Sequence, residues 1–403
     1  MRGMPTTPAR SAHARGLLLV AVGVILVAAN LRPTVTSVAP LLTQIRLDLG
    51  LSSATAALLT ATPVLCFGLL APFAPRIADR LGIERTLGLV LLAIAAGLAI
   101  RIGPDSLALF AGTILAGGAI ALGNVLLPAL TKRDFPTRAG ALTGAYTMAL
   151  QVSAAVAAGL SVPVAAALDG WRAGLGIWAV PVVITLLVWL PQLRSRTLPP
   201  HEVAPGGPAA LLRDPLAWQV TLFFGLQSLE FYAIVSWLPT IYQDSGFSPR
   251  DAGLLLSVST LAGAPAALIM PSIAARAVDQ RIHAVVVGLI VGVGLAGVLL
   301  APAALPWLWV ILIGFGNGAS FPLALTLLVL RTRNSGDTAR LSAMAQSLGY
   351  LIAAAGPVLV GALHDVTAGW GAPVLLLLGL LVPQTLSGVS AGRRLYVGER
   401  ARG

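Results

Sequence analysis

Apolar runs of roughly 20 residues, separated by short stretches rich in Arg, Asp, Pro and Gly, recur twelve times along the chain. Their limits are about 17–42, 53–75, 86–103, 106–130, 139–167, 171–190, 217–242, 251–274, 284–303, 305–329, 341–363 and 370–390. At 1.5 Å per residue each can cross a hydrocarbon layer of about 30 Å as a helix. The pattern therefore predicts an all-α membrane protein with twelve transmembrane helices. One long polar stretch interrupts it, from Pro191 to Asp214, with Pro199, Pro200, Pro205, Gly206, Gly207 and Pro208 close together. This predicts an N-terminal six-helix bundle over 1–190, a linker over 191–214 and a C-terminal six-helix bundle over 215–403.

An internal repeat supports that division. The run from Ala74 through Arg76 and Asp79 to Arg80 matches Ala274 through Arg276 and Asp279 to Gln280, at an offset of 200. Gly123, Asn124 and Pro128 are echoed by Gly316, Asn317 and Pro322, and Met148 to Gln151 by Met344 to Gln346. Two pseudo-symmetric halves of this kind are the parallel repeat of transporters that rock about a site at the midplane.

Composition and charge agree with a membrane protein. Of the residues, 57% are hydrophobic and 10% charged, with mean hydropathy +0.88, which excludes a soluble globular chain of this length. The formal net charge of +11 invites a nucleic-acid partner, but the cations gather in no basic face with interleaved aromatics. Twenty-one of the 26 Lys and Arg residues fall in alternate loops and at the two ends, and four (Arg46, Arg101, Arg172, Arg250) in the loops between. By the positive-inside rule both termini are then expected in the cytoplasm of a cell bounded by an inner or plasma membrane. The lone Cys66 and four histidines outside the apolar runs offer no disulfide framework, metal set or cofactor site. A cleaved signal peptide over the first run competes with this topology, but the run resumes beyond Arg32 and eleven more follow.

Arg32 is the candidate around which the rest is arranged. The sequence Asn30-Leu31-Arg32-Pro33 puts a cation inside a bilayer span, at a cost of roughly 2.5–3.5 kcal/mol, so it should face a cavity or a partner. Pro33 cannot donate to the carbonyl of Ala29 and disfavours helical geometry at Arg32, which predicts a break. Of the 15 acidic residues only Glu230 falls mid-span. At the offset of 200 it corresponds to Asn30, and Tyr232 to Arg32, so Arg32 and Glu230 are expected to be partners across the pseudo-twofold axis. In one reading Arg32 supplies a forked donor for an anion or polar ring and Glu230 neutralises it or carries a proton. In the other the two form a permanent salt bridge.

Gln227 shares a helical face with Glu230, whereas Tyr232 points elsewhere on a regular helix. Gln346 and Tyr350 share a face of span 11, and Thr147 and Gln151 one of span 5. The candidate substrate-binding set is Arg32, Asn30, Gln227, Glu230, Gln151, Gln346 and Tyr350. Asn30 and Arg32 diverge by about 200° on an ideal helix, so both reach one cavity only through distortion at Pro33. Trp237, Trp309 and Trp370 lie near span ends, as interface anchors do.

The loop Arg76-Ile77-Ala78-Asp79-Arg80-Leu81-Gly82-Ile83-Glu84-Arg85 resembles the signature between spans 2 and 3 of the major facilitator superfamily. It departs where Ile83 and Glu84 replace basic residues and Pro75 stands near the usual glycine. Asn30 to Leu42, Leu59-Thr60-Ala61-Thr62-Pro63-Val64 and Phe224 to Pro239 resemble its cyanate and 2-nitroimidazole transporter branch. The resemblance implies a site lined by spans 1, 4, 7 and 10, alternating access, and gating contacts at Asp79 and Arg80. The expected function is secondary active transport of a small polar or anionic solute across the lipid bilayer, with protons as a further partner, by a single chain. A drug or metabolite efflux carrier and a non-transporting receptor or scaffold are the alternatives. The chain carries no phosphate loop of the G-x-x-x-x-G-K-[ST] type and no catalytic set at one depth, so an ATPase or another enzyme is not expected.

Overall fold

The computed structural model describes residues 7–51, 53–168, 170–194 and 211–399. All regular structure among them is helical, as lipid demands of a backbone that must satisfy its own hydrogen bonds. The first span is three pieces: α1 (Thr7–Leu31), α2 (Pro33–Thr36) and α3 (Val38–Asp48). Its hydrogen bonding is interrupted at Arg32 beside Pro33, which has no donor, although Arg32 itself keeps helical dihedrals (φ −91°, ψ −40°), contrary to the expected loss of helical geometry there. The second is α4 (Ser53–Leu70), from which α5 (Phe73–Leu81) turns away by 62°. The segment 76–81, read above as part of a loop, is thus helical, with Ala74, Pro75 and Ala78 buried and Asp79 and Arg80 exposed. Spans 3 to 5 are α6 (Ile83–Arg101), α7 (Ser106–Asp134) and α8 (Ala139–Ala167). Span 6 is broken into α9 (Trp171–Gly176) and α10 (Ala179–Trp189).

The second set comprises α11 (Pro215–Asp244), α12 (Pro249–Arg276), α13 (Arg281–Leu300), α14 (Pro306–Leu330), α15 (Ser335–Thr367) and α16 (Gly371–Ala391). Asp105, Asp214, Ser248 and Asn334 cap α7, α11, α12 and α15 by accepting from first-turn amides, which satisfies donors that have no intrahelical partner. Among the described residues eleven helices are long and apolar enough to cross a membrane, and a twelfth span is counted when the bent α4–α5 pair is taken as one.

The repeat extends to contacts the sequence did not disclose. Trp171 Nε1 donates to Asp48 Oδ2 at 3.0 Å, and Trp370 Nε1 to Asp244 Oδ2 at 2.7 Å. In each set of six, the same bond ties the end of the first span to the start of the sixth. At the opposite end Arg133, closing α7, pairs with Glu84 at 2.7 Å, and Arg331, following α14, donates to Gln280. Glu84, the departure from the superfamily loop, is therefore one half of a part-buried ion pair between α6 and α7.

Hydrogen bonds joining the two sets lie on one side among the described residues. Thr147 Oγ1 donates to the Ala267 carbonyl, Gln346 Nε2 to that of Asn124 and Ser347 Oγ to that of Gly68. Each donor and acceptor falls in the part of its helix nearer the end that bears the termini. Gly140 and Gly144 make the same seam possible by bringing α8 against the carbonyls of Pro271 and Leu268 on α12, in the manner of small-residue helix contacts in membranes.

Candidate functional site

Above that seam, near the middle of the helices, lies a partly open cavity with about 440 Å³ of space between and in front of its walls, solvent-continuous space included. Its walls come from six spans: Arg32 at the α1–α2 break, Thr147 and Gln151 on α8, Gln227, Ser228, Phe231 and Tyr232 on α11, Ala267 on α12, Asn317, Gly318, Phe321 and Pro322 on α14, and Tyr350 on α15. A second space of about 330 Å³ shares Gln151, Phe231, Asn317 and Gly318 and continues past Val235, Leu256 and Gly314. On α11, α12 and α14 alike those residues lead away from the termini. The seam floors the cavity, and the second space extends it toward the other end.

Arg32 is the one charged side chain among the lining residues. Its guanidinium carbon sits 5.6 Å from the centroid of Phe321, a cation–π contact. Among the described residues it has no carboxylate within 4.0 Å and no side-chain hydrogen bond. The walls around it are aromatic: Tyr350 stands edge-on to Phe224 at 5.3 Å and Phe231 edge-on to Tyr232 at 5.4 Å. Two buried polar atoms of lining residues have no partner, Asn317 Oδ1 and the hydroxyl of Tyr350. A lone guanidinium, planar rings and an unsatisfied acceptor together suit a flat solute with anionic or oxo oxygens at one edge and an N–H at another.

The expected partnership of Arg32 with Glu230 is not found. Glu230, at the midpoint of α11, is fully buried, and neither carboxyl oxygen has a hydrogen-bond partner. The offset of 200 matched depth but not rotation. Gln227, Ser228, Phe231 and Tyr232 form the stripe of α11 that faces the cavity, spanning about 140° at 100° per residue. Glu230 falls outside it, on the face where Phe223, two turns earlier, packs against Gly388 of α16 and Ala284 of α13. The same stripe corrects the exclusion of Tyr232, which lines the cavity.

Gln151, Gln227, Tyr350 and Thr147 line the cavity. The Gln227 amide nitrogen is committed to the Phe224 carbonyl and Ser228 Oγ. Asn30 is not among the lining residues; its amide donates to the Leu26 carbonyl and to Thr185 Oγ1 of α10, both at 2.8 Å. Arg32 keeps right-handed helical dihedrals, so the divergence of about 200° expected of a regular helix persists and Arg32 reaches the cavity while Asn30 stays on the opposite face. Gln346 is likewise absent from the lining and holds the seam through Asn124. Asp79 and Arg80 are exposed on α5 and form no ion pair among the described residues. Span 4, implied by the resemblance, contributes no lining residue, whereas spans 5, 8 and 11 do.

Asn317, Phe321, Phe231 and Ser228 were missed. Asn317 had a signal, as a mid-span amide already marked by the repeat; a wall aromatic looks like any core aromatic in a sequence.

The Major Facilitator Superfamily model matches residues 17–357. The chain belongs to this superfamily. It is 41% identical over 391 residues to the 2-nitroimidazole transporter of Escherichia coli (strain K12), covering 96% of this chain and 98% of that one. It is 31% identical over 363 residues to the cyanate transport protein CynX of the same organism, covering 89% and 94%. Among solved structures, the Major Facilitator Superfamily transporter FucP in the outward conformation superposes with a TM-score of 0.76 at 12% identity, over 92% of this chain and 98% of that one. The protein is thus an integral membrane transporter of small solutes, with the fold of its superfamily, and not an enzyme.

Proposed function

We propose that this chain is a secondary transporter for a small planar solute of the nitroimidazole type, moved by alternating access of the two six-helix sets about the Arg32 cavity. The observation that carries the reading is the unpaired guanidinium of Arg32 between aromatic walls, in the same cavity as the unsatisfied Asn317 Oδ1. Nitro oxygens would accept from the guanidinium fork, the ring N–H would donate to Asn317, and Phe321 would bear on the ring. The relatives carry the names 2-nitroimidazole transporter and cyanate transport protein. Cyanate, a linear anion, would use Arg32 but leave the aromatic walls and Asn317 idle, so the ring class is favoured.

With the termini in the cytoplasm of an inner or plasma membrane, as the distribution of cations supports, the seam closes the cytoplasmic side and the cavity looks outward. Glu230, the buried mid-span acid, is the group we assign to proton coupling.

The test is counterflow in proteoliposomes preloaded with unlabelled 2-nitroimidazole. Labelled 2-nitroimidazole should accumulate transiently with the wild type and not with Arg32→Ala. Absence of counterflow with the wild type, or its persistence in the alanine variant, would defeat the proposal.

A further inference from the structure

Arg101 was counted above among the loop cations. In the structure it ends α6 with none of its surface exposed and no carboxylate within 4.0 Å among the described residues. Its guanidinium meets three oxygens instead. Nη1 donates to the Thr34 carbonyl at 2.6 Å, and Nη2 to Ser37 Oγ and to the Leu175 carbonyl, both at 3.2 Å. Thr34 lies within α2, Ser37 is the residue that separates α2 from α3 at the second interruption of span 1, and Leu175 lies just before the interruption of span 6 between α9 and α10. A helix broken at membrane depth leaves carbonyls that lipid cannot satisfy, and a neighbouring side chain has to take them up. A guanidinium does so with several donors held in a fixed fork.

We propose that Arg101 is a positioning residue for Arg32: it pins the one-turn helix α2, and so fixes where the guanidinium at the start of that turn enters the cavity. Arg32 immediately precedes Pro33, and its carbonyl accepts from Val35 and Thr36 at 3.0 Å each, so the arginine and the pinned turn form one rigid unit. Arg101 reaches that unit from behind, through Thr34 and Ser37, and is not among the cavity's lining residues. A lysine there would supply a point charge with no fork, and a methionine would leave the Thr34 and Leu175 carbonyls without their partner.

The inference deepens the reading of Arg32 as the solute's partner, but its test needs no solute. Cys66 is the single cysteine, so a Cys66→Ala chain accepts one reporter thiol at a time. Arg32→Cys reports on the pinned turn, and Ser228→Cys, on the facing wall, serves as control. Each is labelled with a charged methanethiosulfonate in the presence of Arg101, R101K, R101M or S37A. The rate at position 32 should change by roughly 10- to 150-fold in R101M, the scale of one hydrogen bond to a charged group. The shift should be smaller in R101K and S37A, while the rate at position 228 stays constant in all of them. Equal rates at position 32 across the series would overturn the proposal, and so would parallel changes at 228, which mark a structural role for the whole bundle. Should R101M fail to fold, R101K and S37A decide the matter alone. Loss of 2-nitroimidazole counterflow in the unsubstituted chain would defeat the proposed function and leave this result untouched.

Discussion

The seam between α8 and α12 makes the most exacting prediction. A Cβ added at Gly140 would stand 2.5 Å from the Pro271 carbonyl oxygen and 2.6 Å from Ala275 Cβ, where real contacts of this kind are ordinary only beyond 3.4 Å. The obstacle is backbone, not the end of a flexible side chain, so Gly140→Ala requires the two helices to part by about 1 Å. Overpacking of this kind costs about 1–3 kcal/mol, a factor of roughly five to 150 in a conformational equilibrium. Alanine also favours the helix by about 1 kcal/mol over glycine, but that gain is shared by both conformations and cancels. The variant should therefore fold and shift toward the conformer in which this seam is open. Spin labels at Arg138→Cys and Val278→Cys in the Cys66→Ala chain bracket the seam. Pulsed dipolar spectroscopy should show a longer distance component growing in Gly140→Ala. An unchanged distribution in a monodisperse variant would refute the claim that these helices seal the terminal side.

Glu230→Gln should retain 2-nitroimidazole exchange in proteoliposomes while losing accumulation driven by a proton gradient; gradient-driven uptake at the wild-type level would remove Glu230 from coupling. Asn317→Leu should weaken 2-nitroimidazole about tenfold, the scale of one buried hydrogen bond, and bind 1-methyl-2-nitroimidazole, which lacks the N–H, as the wild type does; equal losses for both ligands would contradict the assigned bond. At the other end of the first span, the Trp171 indole and then Arg172 hold the Asp48 carboxyl below its ordinary value near 3.8. A lowered folded value means that the ionised Asp48 contributes its full stability above pH 3.8 and loses it as pH falls through the lower folded value. The thermal midpoint of the wild type should drop on that acid limb, and Asp48→Asn should flatten it; superimposable acid limbs would show that the carboxylate contributes nothing there.

Much of the architecture was legible because lipid imposes a simple rule on the chain: the apolar runs had to be helices, and their limits follow from the charges and prolines between them. Ala139–Ala167 and the break at Arg32 were read directly from the residues. The helical α5 was not, because Arg76, Asp79 and Arg80 looked like loop residues, whereas their spacing leaves Ala74, Pro75 and Ala78 on one buried face. The cavity was half legible. Arg32 announced itself by its cost in a membrane, and Gln151, Gln227 and Tyr350 by polarity. The Arg32–Glu230 pair failed because an internal repeat aligns residues by depth and is blind to rotation about the helix axis. Arg101 escaped for a related reason: at the edge of an apolar run a cation reads as a loop residue, and only the packed breaks of spans 1 and 6 show what it serves.

Contact between the Arg32 guanidinium and the solute is tested by calorimetric titration of the purified protein with 2-nitroimidazole. One charged hydrogen bond contributes about 1.5–3 kcal/mol, so affinity should be lower by roughly 10- to 150-fold in Arg32→Ala, with an intermediate loss in Arg32→Lys, which keeps the charge without the fork. An alanine variant that binds 2-nitroimidazole as tightly as the wild type would contradict it.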